Sequence, residues 1–506
     1  MKKIKYLSVL AIAALFTSCE DAIDIQQPGL LTADAAITSV ADLNDVLFAA
    51  YNTLDTTPEI HFTSVFTDEI RIGASNGGQG QSLYRRIFQP GNAGPTVLWS
   101  RNYRGINQAN RIILGYEGLL ERNDDENPNN DLTPDEMTQG ADVVGQAYAI
   151  RAFLHLQMLS YYSANLADDS SLGIPVVDFI PGTDFLPLRD TTGDAYNLIY
   201  SDLDKAIAQI LADGSNGAGS TFFTKDAARA MKARAANYRK DYTTSVPLAH
   251  ALLAKYPLAT PAEYDAMFAD TGNAEVIMKL ERTINDSYDG QGATGSSAAG
   301  GWAGANFAFA GPDLAGGPYY EMATNLWFAF APGDQRRDNN GVRFPNQSTR
   351  TGVRDIYIVN KYRGSEGQPL MNDHKIFRSS EQLLILAEAA AETDRNQVET
   401  LLDQLRDARF GSDQASVGYG TAAQAYKAIL EERRKEFAFE GVRYTDLRRL
   451  GTLANVSTDR ALSDCEGFLP NDLCNIPTTD FRFTWPLPQV EFNANTALRA
   501  QQNTGY

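Results

Sequence analysis

The residues Glu-Arg-Arg-Lys-Glu-Phe-Ala-Phe-Glu-Gly occupy positions 432–441, and Arg-Tyr-Thr-Asp-Leu-Arg-Arg follows at 443–449. The apolar spacing predicts a helix over 422–440 that ends at the glycine, a residue that suits a C-cap. Glu431 precedes Lys435 by four residues, which is the spacing of an ion pair on one helix face. The two phenylalanines would anchor the end of the helix in the core. This stretch therefore predicts scaffold, not ligand chemistry.

Helical periodicity dominates the rest of the chain. Apolar residues recur at intervals of three and four over 143–161 and again over 196–210. The segment 227–238 is rich in alanine, which allows a neighbouring helix to approach closely. Further helices are predicted over 246–255, 381–392 and 397–409. Such pairs are similar to tetratricopeptide hairpins without a fixed 34-residue period. We expect a mainly α fold, with irregular helix pairs as scaffold and a loop-rich, aromatic and glycine-rich half that binds ligand.

Composition narrows the class of function. The 506 residues are 43% hydrophobic and 21% charged, which is enough for a packed core, and the net charge is −19. Such acidity argues against binding to nucleic acid or to anionic lipid. The four histidines form no metal-binding or catalytic motif, the phosphate-loop pattern is missing from the sequence, and no dinucleotide-binding glycine pattern opens a predicted helix. We expect no enzyme, no cofactor and no metal site, although a pair of glycosidase carboxylates would leave no local signature.

The first nineteen residues have the pattern of an export signal. Lysines at positions 2, 3 and 5 precede the apolar stretch 7–16, which is too short to span a bilayer. Ser18-Cys19 then resembles a bacterial lipobox, which predicts a signal peptide over 1–18 and a lipid on Cys19; the alternative is a plain signal peptide with a chance cysteine. In an oxidising exterior, Cys465 and Cys474 would form a disulfide, and two free thiols are the alternative.

An aromatic and glycine-rich segment is the strongest indication of a ligand. Residues 287–317 include nine glycines, and 302–330 include eight aromatic residues with few charges. Aromatic rings stack on the apolar faces of sugars, and neutral amides bind the hydroxyl groups. Trp302 is the first candidate because its small neighbours cannot bury it; the alternative is that these rings form the core of a loop-rich subdomain. The candidate glycan-binding residues are Trp302, Trp327, Tyr319, Tyr320, Tyr84, Asn76 and Gln81.

Several blocks together resemble the SusD/RagB family of outer-membrane nutrient-binding lipoproteins of Bacteroidetes. The most specific are 432–449 and the C-terminal run Pro486-Leu487-Pro488-Gln489, Glu491, Asn493 and Asn503-x-Gly505-Tyr506. The weaker blocks are Cys19, Pro28, Ala49-Ala50-Tyr51, Thr67-Asp68-Glu69, Trp99 with Tyr103, Ile106 and Asn110, Arg151-Ala152-Phe153, Tyr161-Tyr162 and Gly173-Ile174-Pro175.

The resemblance implies a lipid-anchored, surface-exposed outer-membrane protein that is not an enzyme. It would capture an oligosaccharide and deliver it to a SusC-like TonB-dependent transporter. Capture of a peptide, as by a RagB-like protein, is the alternative; a surface glycoside hydrolase and a helical-repeat scaffold with only protein partners are less favoured. One SusD-like domain would span 19–506, mostly helical over 19–280 and 375–450 and loop-rich over 281–374 and 451–506. Some family members hold calcium, but no ligand spacing in this sequence supports it.

Overall fold

The computed structural model describes residues 37–73, 75–123, 131–182, 184–286, 301–307, 318–349 and 352–506. The predicted signal peptide and Cys19 lie outside the described residues, as does most of the glycine-rich segment 287–317. In the described part of the chain, no helix is long and apolar enough to cross a membrane.

Helices account for most of the regular structure. Along the chain they are α1 (Val40–Tyr51), α2 (Thr57–Phe66), α3 (Gln81–Tyr84), α4 (Ala93–Asn123), α5 (Pro134–Tyr162), α6 (Thr192–Gln209), α7 (Lys225–Arg239), α8 (Tyr242–Lys255), α9 (Pro261–Phe268), α10 (Thr324–Ala329), α11 (Gln335–Asn340), α12 (Ser379–Ala390), α13 (Arg395–Phe410), α14 (Ala422–Glu436), α15 (Arg443–Ala454), α16 (Leu462–Cys465) and α17 (Gln489–Ala494). Short 3₁₀ turns lie at Ala303–Asn306, Asn471–Leu473, Phe481–Phe483 and Thr496–Gln501.

The strands of the described residues form two-stranded antiparallel sheets. Strand β1 (Ile70–Ile72) pairs with β3 (Tyr320–Met322), β2 (Val276–Leu280) with β6 (His374–Arg378), and β4 (Gly341–Thr349) with β5 (Gly352–Val359). In the first pair Ile70 lies opposite Met322 and Ile72 opposite Tyr320. This short ladder brings residues 250 positions apart onto one surface.

Consecutive long helices pack side by side as hairpins, which confirms the mainly α fold and its tetratricopeptide-like pairs. Helices α4 to α8 form one run of neighbours, and α12 to α15 form another. Small residues set the spacing. A Cβ atom on Gly105 of α4 would lie 2.3 Å from Thr53 Oγ1 and 2.5 Å from Leu154 Cδ1 of α5, so only glycine fits there. The alanines of α7 are buried in the same way.

The stretch 432–449 takes part in a buried network of ion pairs. Arg443 donates two hydrogen bonds to Asp68, at 2.9 and 2.8 Å. Arg433 binds Asp446 at 2.7 Å. Glu436 accepts from Arg378 and Arg409, at 2.7 and 2.9 Å, between helices α14 and α13 and strand β6. The family blocks are thus bound to one another in the interior, where they fix the fold.

Two details of that stretch differ from the expectation. Helix α14 ends at Glu436 rather than at residue 440, because Phe439 adopts a left-handed conformation with φ of 63° and donates its amide to Glu69 Oε1 at 3.1 Å. The predicted pair of Glu431 with Lys435 is also wrong. Lys435 binds Glu432 at 2.8 Å, and Glu431 lies 4.0 Å from Lys427.

The predicted disulfide is confirmed. Cys465 and Cys474 are bonded, with their Cα atoms 5.7 Å apart, and both side chains are buried. The bond closes a mostly exposed loop that follows α16.

Candidate functional site

Candidate residues from two distant parts of the chain, 76–84 and 319–327, meet beside the β1–β3 ladder. Asn76 Nδ2 donates to the carbonyl oxygen of Tyr319 at 3.0 Å, and the amide of Gly73 donates to the same oxygen at 2.9 Å. Gly80, with φ of 63°, packs so closely on Tyr320 that a Cβ atom would lie 2.1 Å from the phenol oxygen. We define the β1–β3 surface as residues 75–84 and 319–328 with the described part of the β4–β5 hairpin.

The polar residues of the 75–84 loop bind one another. Asn76 Oδ1 accepts from the amide of Gly78 at 2.8 Å and from Gln81 Nε2 at 3.3 Å. Gln79 Oε1 accepts from the amide of Gly77 at 2.6 Å. Asn76 and Gln81 are half-buried, so they shape the loop while their remaining surface faces outward. Their predicted contact with a glycan stays a prediction.

The first-choice aromatic residue does not face solvent. Trp302 is only 8% exposed, packs against Ala305 and Met371, and donates its indole N–H to the carbonyl of Thr283 at 3.1 Å. The expectation that its small neighbours would leave the ring exposed is therefore wrong. Burial comes from the chain near Leu370, which is remote in sequence: a Cβ atom on Gly304 would lie 2.5 Å from the Leu370 oxygen.

Two of the candidate tyrosines are also interior residues. The hydroxyl of Tyr84 donates to the carbonyl of Asp464 at 2.9 Å, and the Arg460 guanidinium lies 4.0 Å from its ring centre. Tyr320 is buried, with its hydroxyl 3.4 Å from His61 Nε2. For these rings the core alternative is correct, because each hydroxyl has a partner that sequence spacing could not reveal. Tyr319 is half-buried at the edge of the surface.

Helix α10 presents two accessible aromatic residues on the β1–β3 surface. Of the four tryptophans, all of which lie in the described ranges, three are buried and only Trp327 is half-exposed. Its ring stacks on Tyr357 with centroids 5.1 Å apart, and the Arg337 guanidinium lies 5.6 Å from it. The next residue, Phe328, is 68% exposed and meets Tyr357 edge-on at 6.3 Å. Phe328 was absent from the candidates because sequence cannot tell which of two adjacent rings faces outward.

Paired charges lie beneath this surface. Glu321 accepts from Arg71 at 2.6 Å through one oxygen and from Arg354 at 2.7 Å through the other. Burial lowers the pKa of Arg71, but Glu321 and Asp464 outweigh that effect and raise the pKa above its ordinary value. No local pattern predicts this arrangement, since Arg71 and Glu321 are 250 residues apart. The charges neutralise one another, and the Arg71 guanidinium lies 5.0 Å from the centre of the Tyr357 ring on which Trp327 stacks.

Three histidines are structural. Burial lowers the pKa of His61 to about 4 and that of His155 to about 3, and it holds the pKa of His374 well below its usual range. All three are therefore neutral at pH 7. His155 Nδ1 lies 2.9 Å from the Arg151 carbonyl oxygen, one turn earlier in the same helix. Across the ranges given above, no group of three histidine, cysteine or acidic side chains is placed to hold a metal ion.

Fold and surface together define a helical scaffold that carries an exposed aromatic surface beside the β1–β3 ladder. A model of the SusD family matches residues 331–506, and a model described as "Starch-binding associating with outer membrane" matches 24–236. The chain belongs to the SusD family.

Individual relatives resemble the chain over nearly its full length. It is 25% identical to SusD-like protein P2 of Formosa agariphila over the whole of both chains. A SusD superfamily protein of Bacteroides thetaiotaomicron superposes with a TM-score of 0.73 at 20% identity, covering 92% of this chain and 99% of that one. A laminarin-binding SusD-like protein superposes with a TM-score of 0.67 at 20% identity, covering 93% and 100%. At these identities the solved structures show the shared fold.

Proposed function

We propose that this protein is a cell-surface lipoprotein that captures an oligosaccharide and delivers it to a SusC-like TonB-dependent transporter, without cleaving it. The observation that carries the proposal is the pair Trp327 and Phe328, one half-exposed and one exposed, supported by Tyr357 on the β1–β3 surface. Family members with glycan-binding names, such as the laminarin-binding relative, support the ligand class.

The chemistry of the surface suits a neutral sugar chain. A ring as exposed as Phe328 offers an apolar face on which the C–H side of a sugar can stack. The charges below the surface are already paired, so a neutral ligand would displace little charge hydration when it docks. Asn76, Gln81 and Tyr319, which belong to the same surface, are proposed to contact the hydroxyl groups.

Calorimetry with single-ring variants tests the binding surface. The protein without residues 1–19 is titrated with laminarin, starch, xylan and a mixture of short peptides. With the polysaccharide that binds, Phe328→Ala and Trp327→Ala should each lower the affinity by about 2 kcal/mol, or some thirtyfold, if they are hot spots. Because Phe328 is exposed, its variant should keep the melting temperature of the wild type.

Phe481→Ala is the matched control, since Phe481 is also exposed, at 43%, but lies outside the β1–β3 surface. It should bind as the wild type does. Unchanged affinity of both Phe328→Ala and Trp327→Ala would mean that the ligand binds elsewhere. Binding of the peptides alone would favour the peptide-capturing alternative.

The absence of catalysis has its own test. Overnight incubation of the purified protein with the same polysaccharides should release no shorter products. Time-dependent cleavage that disappears when one carboxylate is replaced would favour the glycoside-hydrolase alternative.

Anchoring and delivery are tested in cells. Cys19→Ala should prevent labelling with palmitate and remove the protein from the outer-membrane fraction; continued labelling would contradict the lipobox interpretation. Affinity purification of the wild-type protein from solubilised outer membranes should recover a TonB-dependent transporter in near-equal amount. Recovery of the protein alone, under conditions that preserve other membrane complexes, would count against delivery to such a partner.

A further inference from the structure

The segment 460–474, which contains the Cys465–Cys474 disulfide, touches both walls of the β1–β3 surface. One wall is helix α10, which carries Trp327 and Phe328, and the other is the 75–84 loop with α3. We propose that this segment, with Asp464 as its positioning residue, holds the two walls in their binding arrangement before a ligand arrives. The proposal rests on the proposed function for its ligand, but its structural part can be tested alone.

The first contact caps helix α10. Its N-cap residue, Ala323, has no side chain that can accept from the first turn. Asp464 does so instead: Oδ2 accepts from the amide of Thr324 at 2.8 Å, and Oδ1 accepts from the Thr324 hydroxyl at 2.7 Å. The same carboxylate lies 3.4 Å from Arg71 of strand β1. A buried side chain from a remote part of the sequence therefore sets where α10 begins and where its aromatic rings point.

The second set of contacts holds the loop wall. The hydroxyl of Tyr84 donates to the backbone carbonyl of Asp464 at 2.9 Å. Two residues further on, Arg86 donates to the carbonyls of Leu473 and Cys474, at 2.7 and 2.9 Å. Arg460 donates to the carbonyl of Tyr84 at 2.9 Å. Tyr84 and Arg86, at the C-terminal end of the loop wall, are thus bound to both ends of the segment 460–474.

The disulfide joins these two sets of contacts. Cys465 follows Asp464 directly, and Cys474 follows Leu473, so one covalent bond fixes the carbonyls that bind Tyr84 and Arg86 relative to the carboxylate that caps α10. Residues 466–473 between them are exposed or half-buried, with little core of their own. Without the bond this loop would gain many conformations. Holding a binding surface in advance reduces the entropy lost when the ligand binds.

Hydrogen exchange followed by mass spectrometry tests the structural part. Asp464→Asn, Thr324→Val and the double variant Cys465→Ser/Cys474→Ser are compared with the wild type. The amides of 324–329 and 81–86 should exchange at least about tenfold faster in Asp464→Asn and in the cysteine variant, while α8 keeps its rate. Because Asp464 acts on α10 through Thr324, combining Asp464→Asn with Thr324→Val should add little to either single change at 324–329.

Asp202→Asn is the matched control, since Asp202 accepts two hydrogen bonds from Arg151 in the interior of the α5–α6 scaffold, at 2.8 and 2.7 Å. It should lower the melting temperature without a selective increase at 324–329 or 81–86. Equal rates in the wild type, Asp464→Asn and the cysteine variant would overturn the proposal. So would faster exchange spread evenly over the scaffold, since the segment would then support only global stability. If Asp464→Asn does not fold, the milder Thr324→Val variant tests the contact with α10. Faster exchange at 324–329 in that variant supports the contact, and an unchanged rate contradicts it.

Calorimetry with laminarin and the other polysaccharides named above tests the functional part. With whichever binds, Asp464→Asn should weaken binding about tenfold although Asp464 is buried beneath the surface, and Asp202→Asn should not. Wild-type affinity in Asp464→Asn, together with faster exchange at 324–329, would overturn the role in binding. Failure of the wild type to bind any of them contradicts the proposed function instead, and the exchange measurement still decides whether the segment holds the two walls.

Discussion

Replacing Asp68 with asparagine should be among the most destabilising conservative changes in this chain. The Asp68 side chain is fully buried and accepts two hydrogen bonds from Arg443, at 2.9 and 2.8 Å, and one from the amide of Asp459 at 2.9 Å. Arg434 lies 3.7 Å away. Asparagine has the same shape, but its NH₂ group would face guanidinium donors and leave Arg443 charged and unpaired in the interior.

Breaking a buried ion pair on one side costs about 3–5 kcal/mol, because the remaining charge has lost its partner. We expect a loss of this size in the free energy of unfolding of Asp68→Asn. Asp459→Asn is the control: Asp459 binds the same Arg434 at 2.9 Å, but its side chain is 55% exposed. Exposed pairs contribute at most about 1 kcal/mol, so this change should be nearly neutral.

The difference should also depend on pH. Burial alone would raise the pKa of Asp68, but Arg434 and Arg443 outweigh it and hold the pKa well below its usual range. A carboxyl group whose pKa is lowered in the folded state contributes its full stabilisation at any pH above its unfolded-state pKa. That contribution is lost as the pH falls from the unfolded-state pKa towards the folded-state pKa. The gap between wild type and Asp68→Asn should therefore be constant near pH 7 and shrink below about pH 4.

Urea unfolding followed by circular dichroism between pH 3 and pH 7 measures both effects. A loss below about 1 kcal/mol for Asp68→Asn at pH 7 would refute the argument, because it would place the pair in the range of exposed ones. A gap that does not narrow in acid would show that the asparagine variant fails for reasons of packing rather than charge.

Three further predictions follow from other parts of the interior. Burial raises the pKa of Glu59 to about 8, so the native state keeps a proton that the unfolded chain loses near the ordinary pKa of 4.5. The free energy of unfolding should therefore fall as the pH rises from the unfolded-state pKa to the folded-state pKa. Glu59→Gln should reduce this fall by up to about 1.4 kcal/mol per pH unit in urea unfolding; parallel curves would show that Glu59 is ionised. Gly105→Ala should cost about 1–3 kcal/mol because its methyl group would overlap its neighbours. In the same helix, Gly118→Ala should raise the free energy of unfolding by up to about 1 kcal/mol, because nothing lies within 4 Å of the added atom. Equal melting temperatures of the Gly105→Ala and Gly118→Ala variants would contradict the close packing of α4 on α5. Cys465→Ser/Cys474→Ser should lower the free energy of unfolding by about 2–3 kcal/mol. Alkylation of both thiols in the unreduced wild type would disprove the bond.

Much of the architecture could be predicted from local patterns. Helix formation depends on residues three and four positions apart, so the spacing over 143–161 and the alanines of 227–238 were sufficient to predict α5 and α7. The disulfide could be predicted because only two cysteines remain after Cys19. The block at 432–449 indicated the fold through its resemblance to a known family. In the structure its charged residues are buried in ion pairs, one within the block, Arg433 with Asp446, and one with a distant residue, Arg443 with Asp68.

The binding surface depended on contacts that no local pattern contains. Whether a ring is buried is decided by chain that packs on it from elsewhere: the region of Leu370 and Met371 covers Trp302, whereas Phe328, next to the half-exposed Trp327, remains open. The pairing of Arg71 with Glu321 likewise spans 250 residues. Periodicity and composition report the intrinsic preferences of a segment, which act over a few residues. Exposure and charge pairing are set by which distant segments meet, and that is decided by the tertiary structure.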